Sequence, residues 1–214
     1  MKILYLFAIA VTLASSFNCS AQARKNDKSS KKDASEKTSR SIDNSNQNPN
    51  HKILTIDIIN KTSDDSLLWV IADNLFKKIL KDYKKEYQTV MTFSKPRQAI
   101  YMIWELEAEI NNGGFNQYYF NSSGQFAKLT PDALRLVGAV KFSELVSKAN
   151  KIFETENKKI TKNQDGTLDG FSKSYEDNPL NKFDDEFYKL YKTENLEQLQ
   201  IAFIRKHKAE FVDK

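Results

Sequence analysis

Glu105-Leu106-Glu107-Ala108-Glu109-Ile110-Asn111-Asn112-Gly113-Gly114-Phe115-Asn116-Gln117-Tyr118-Tyr119-Phe120-Asn121-Ser122-Ser123-Gly124 joins an apolar helical pattern to a double-glycine break. An aromatic, amide-rich segment follows, and another glycine closes it. Upstream, Ser94 precedes Pro96, a helix start with proline in the first turn. The spacing predicts a helix over 96–111 that stops at Gly113-Gly114, with at least one glycine at positive φ. A short helix or turn over 115–120 then folds back. It buries Phe115 and leaves Gln117 or Asn121 facing a groove.

On a helical wheel Ile100, Ile103, Trp104, Ala108 and Ile110 share one broad face. Glu107 falls in its middle, while Glu105 and Glu109 lie together on the other side. A carboxylate in an apolar stripe must be hydrogen-bonded, paired or protonated. Two uses are open for Glu107 and Glu109. One is an acid/base or ligand-anchoring role. The other, which we favour, is accepting backbone N–H bonds from the turn at 113–115. Asn112, Gly113, Gly114, Gln117 and Asn121 complete the candidate binding residues. The amides suit a ligand or a partner's backbone, and the aromatics suit core or interface anchoring.

The same helical spacing recurs outward. Leu68, Ile71, Ala72, Leu75, Phe76 and Ile79 mark a helix after Asp64-Asp65. Thr130-Pro131 opens another through 140, and 142–153 continues after a bend at Gly138. Asp184 and Thr193-Glu194 start two more. Residues 54–59 alternate like a strand, which alone has nothing to pair with, so we expect an extended arm or one helical turn. Six glycines and four prolines are too few for a β sandwich or barrel. The fold class is all-α.

Met1-Lys2, an apolar run over 3–14 and Ala21-Gln22-Ala23 form a secretory signal peptide over 1–23. The chain is then expected to be exported, periplasmic or secreted. Cleavage after Ala21 or Ala23 is favoured over lipidation of Cys19, the only cysteine and the only route to a membrane anchor. Residues 24–50 hold seven Lys/Arg, four Asp/Glu and one large hydrophobe, Ile42, the composition of a disordered linker. Residues 51–214 are one domain with 25 Lys/Arg against 24 Asp/Glu. Its only arginines are Arg97, Arg135 and Arg205, so direct nucleic-acid binding is not expected.

Other chemistry finds no support. His51 and His207 are isolated. A calcium loop aligned on Gly166 would need ligands at Thr161 and Ser172, and both are wrong. Gly113-Gly114 has no following G-K-[ST], so it is no phosphate loop. We expect no catalytic residue, metal or cofactor.

The chain resembles a bacterial family named for a DNA-mimic protein. The resemblance rests on 109–124, on Ala133-Leu134 with Val137-Gly138-Ala139, and on Phe183-Asp184-Asp185-Glu186-Phe187-Tyr188. It spans about 66–211 and implies a small all-α protein without cofactors that binds a DNA-binding regulator. Mimicry itself needs carboxylates arrayed like phosphates and a strong negative charge, and this domain is nearly neutral. The reading is therefore an exported, non-enzymatic helical module that binds another protein, with an inhibitor or immunity protein as a variant. The alternative is a hydrolase-like enzyme using a buried carboxylate beside the Asn-Asn-Gly-Gly-Phe motif.

Overall fold

The computed structural model describes residues 53–79 and 82–213, all within the unit His51–Lys214. The signal peptide, the linker, Cys19 and His51 lie outside the described residues. Nine α-helices and no strand occur among the described residues, as the all-α reading expects. They are α1 (Ile56–Lys61), α2 (Asp64–Ile79), α3 (Glu86–Met91), α4 (Lys95–Phe120), α5 (Thr130–Val137), α6 (Val140–Ile160), α7 (Leu168–Lys173), α8 (Asn181–Leu190) and α9 (Leu196–Lys206).

The axis of the fold is α4, which packs against α2, α3, α5, α6 and α8. Ala99, Ile100, Tyr101, Met102, Ile103, Leu106 and Ile110 are all buried. A helix apolar on so much of its circumference must be covered on nearly every side. Pro96 sits in its first turn, where its missing N–H costs nothing.

The helix breaks at Gly113-Gly114 as the sequence predicts, with one glycine at positive φ and a short helix following. Gly113 has φ −158° and ψ 25°, Gly114 has φ 71°, and the helix resumes to Phe120. Resumption is explained by Asp184. Its Oδ1 accepts the Phe115 N–H at 2.8 Å, satisfying a donor that the broken ladder frees. Phe115 and Tyr118 are then completely buried, the first beside Phe183 and Phe187, the second on Thr130.

Three further segments are fixed by their caps and first turns. Of the two expectations for 54–59 the helical one holds: α1 begins at Ile56, and Thr55 caps it by accepting the Ile58 N–H. Asp184 does not start α8 but lies in its first turn, after Leu180 at the cap position. The polar turn near 165 leads into α7, capped by Thr167 accepting the Gly170 N–H at 3.0 Å. Gly138 behaves as read: at φ 93° it ends α5 and lets Ala139 N–H reach the Leu134 carbonyl at 2.9 Å.

The ends of the domain are clasped together. Leu54 and Asp213 are joined by two hydrogen bonds, Asp213 N–H to the Leu54 carbonyl at 2.8 Å and Leu54 N–H to the Asp213 side-chain Oδ2 at 2.7 Å. Asn74 (2.9 Å), Lys78 (2.7 Å) and Arg97 (2.8 Å) also donate to the Asp213 carboxylate. Arg97 and Arg205 further donate to backbone carbonyls, of Glu210 and Phe211 and of Ile59 and Thr62. These two arginines are occupied by the fold rather than displayed. No helix among the described residues is long and apolar enough to cross a membrane.

Candidate functional site

The kink brings the motif's polar side chains onto one carboxylate. In a straight helix Gln117 would stand roughly 12 Å above Glu109, and Asn121 roughly 18 Å. Folded back at 113–114, Gln117 Nε2 donates to Glu109 Oε2 at 2.7 Å and Asn121 Nδ2 to the same oxygen at 2.8 Å. Asn112 Nδ2 extends the chain to Gln117 Oε1 at 3.0 Å. Four of the sequence-derived residues thus meet in one network. Its amides serve Glu109 rather than an open groove, contrary to the expectation for Gln117 and Asn121.

The backbone of the double glycine is held from the other side. The Gly113 carbonyl accepts the Tyr175 hydroxyl at 2.8 Å. A Cβ on Gly113 would strike Tyr175 and Gln117, and one on Gly114 would strike the Asp184 carboxylate. Burial is the main influence on Asp184 and pushes its carboxyl up to about 6, helped by the charge of Asp185 and opposed by the Phe115 N–H bond. Asn116, inside the motif, is buried. Its Nδ2 donates to Ser174, and its Oδ1 accepts from Asn178 at 3.0 Å and Gln164 at 3.3 Å.

The favoured role for Glu107 and Glu109, accepting the N–H groups of this turn, is therefore incorrect: Asp184 from α8 takes it. Glu107 instead accepts the Tyr191 hydroxyl at 2.5 Å and Gln200 Nε2 at 2.9 Å. Burial raises its carboxyl, the two hydrogen bonds lower it, and Glu197 adds a like charge. The broad apolar face around it is narrower than the wheel implied, since Ala108 is exposed. Glu105 was passed over as a candidate. Burial first, then the charges of Glu86 and Glu109, push its carboxyl up to about 8. Glu86 is itself buried and accepts the Tyr101 hydroxyl at 2.9 Å.

Sequence reasoning missed Asp184, Tyr175, Tyr191 and Gln200. Only Asp184 left a signal, an acidic run inside an aromatic helical pattern. The others are partners by tertiary contact alone. Among the described residues no group of three or more His, Cys, Asp or Glu is placed to hold a metal ion. His207 packs in a tilted arrangement against Phe203, with ring centroids 4.5 Å apart.

Fold and site together define a helical protein whose motif carboxylates are answered by neutral amides and hydroxyls. The family model described as DMP19-like protein matches residues 91–207, more than half of the chain, and the chain belongs to that family. No curated protein and no solved structure matches it.

Proposed function

We propose that this protein is an exported helical module that binds another protein and performs no chemistry. Family membership supports the helical interaction module. The observation that carries the non-catalytic part is the internal satisfaction of Glu107 and Glu109. Glu109 is bound by Gln117 and Asn121, and Glu107 by Tyr191 and Gln200, so each carboxylate has its donors within the fold. Export rests on the N-terminal apolar run and the A-x-A site.

The partner surface in this reading lies at the outside of the kink. Asn112 is exposed there, and Tyr188 offers a ring 45 % exposed whose hydroxyl is fixed on the Ile110 carbonyl at 3.0 Å. A tethered, half-exposed tyrosine is a suitable interface anchor, because little side-chain freedom remains to be lost on binding. With 25 basic against 24 acidic residues in 51–214, the contact would rest on shape and such anchors rather than on a phosphate-like charge array.

The test is capture from envelope extract with the full mature chain, in parallel with Asn112→Ala and Tyr188→Ala. A protein retained by the wild type and lost with the variants, at unchanged unfolding temperature, supports the reading. Retention that ignores both variants removes this surface. The hydrolase alternative would have to rest on Glu105, the carboxyl held up to about 8 beside Glu109. Turnover of any ester or peptide substrate abolished by Glu105→Gln would replace the binding reading with it.

A further inference from the structure

Glu107 lies where three helices meet. From α4 it reaches Tyr191, the residue after α8, and Gln200 of α9. Both donors are uncharged. Gln200 is completely buried, and its other polar atom, Oε1, has no partner. A buried acceptor left alone is costly and calls for a reason.

The chemistry of glutamine supplies one. Its amide turns about the last side-chain torsion and so exchanges a donor for an acceptor at the same place. Toward a carboxylate, Gln200 presents Nε2. Toward a carboxylic acid it presents Oε1, which accepts the acid's proton. Either orientation leaves the far end of the amide unpartnered, so packing does not commit the site to one protonation state. We propose that Glu107, Tyr191 and Gln200 form a proton-linked latch that holds α8 and α9 on α4 and whose hold changes with the protonation of Glu107.

The surroundings set the sign. From α8 the latch faces Tyr191, kept neutral first by burial, then by the charge and hydrogen bond of Glu107, and to a smaller extent by Tyr188. From α9 it faces Gln200 and Glu197, the latter a like charge. From α6 it meets the ring of Phe142, 5.2 Å from that of Tyr191. On α4, the like charges that act on Glu105 are those of Glu86 and Glu109. With its carboxyl raised by burial, Glu107 holds its proton more tightly in the fold than in the unfolded chain. The latch is complete below the ordinary value of 4.5 and loosens as pH rises toward the raised one.

Hydrogen exchange on the full chain tests this, with each amide's rate divided by its unfolded-chain rate at the same pH. Protection across Leu196–Lys206 should fall several-fold with rising pH in the wild type and in Glu105→Gln. In Glu107→Gln it should fall clearly less steeply, leaving only the component that Glu105 and Asp184 supply. Carboxyl NMR of the wild type provides a second readout that needs no variant, and Glu107 should titrate above 4.5. Flat protection in the wild type, the same slope in Glu107→Gln, or a Glu107 midpoint at or below the ordinary value would each overturn the latch.

Discussion

At Gly114, side-chain absence is required for separate reasons that reinforce each other. Its φ of 71° disfavours any β-carbon, and the Asp184 carboxylate occupies the space one would need. The left-handed conformation alone costs roughly 1–2 kcal/mol for an ordinary residue. Gly114→Ala should therefore cost more than that range, because Asp184 must also withdraw from the Phe115 N–H. Urea unfolding of the variant against the wild type measures it, and a loss below about 1 kcal/mol would mean the kink relaxes freely. The need for positive φ was legible in the sequence. The clash was not, since Asp184 arrives from 70 residues further along.

Glu105 makes the second residue-scale case. With its carboxyl raised from 4.5 to about 8, the folded chain binds a proton here that the unfolded chain has already released across that interval. The contribution of this site to stability is thus retained below 4.5 and lost progressively as pH rises through about 8. Glu105→Gln should remove that component and be more stable than the wild type on the alkaline side. Unfolding midpoints on both sides of the window decide it. Equal slopes with pH for the two proteins would assign the cost to another group.

Among the elements, α4 shows what pattern can and cannot reveal. Its start, its buried face and the position of the break follow from Pro96, the apolar spacing and the glycine pair. The short helix over 115–120 was also legible, but not what anchors its start, because the acceptor of the Phe115 N–H belongs to α8. For the same reason the amides look free in sequence and are engaged in the structure: Gln117 and Asn121 reach Glu109 only after the chain has folded back. A shared acceptor makes their energetics dependent on each other. Gln117→Ala and Asn121→Ala should each cost about 1 kcal/mol. Combined with Glu109→Gln, each should cost visibly less than alone, as groups in one network do. Strict additivity in the double-mutant cycles would show that the amides stabilise the kink without Glu109.

The described domain is held closed where Leu54 meets Asp213, 159 residues further along the sequence. Nothing local marks Asp213 as important, since it is an acidic residue next to the last position of the chain. Its environment does: the Asp213 side chain is 11 % exposed and the Arg97 side chain 10 %, and Lys78, Asn74 and the Leu54 N–H complete the shell. Although burial alone would raise the carboxyl, the Leu54 N–H, Lys78, Arg97 and Asn74 together hold it well below the ordinary carboxylate range. A depressed value means that stabilisation is present above the ordinary 3.8 and is lost as pH falls below it. Removing one partner of so enclosed a pair leaves Arg97 without its counter-charge, a change that typically costs about 3–5 kcal/mol. Asp213→Ala should lose stability of that order at neutral pH and should also flatten the acid limb of the stability curve. The decisive comparison is urea unfolding of both proteins from neutral to acid conditions. If the variant matches the wild type at neutral pH to within about 0.5 kcal/mol, the terminal clasp is an accessory contact and the core around α4 suffices to close the fold.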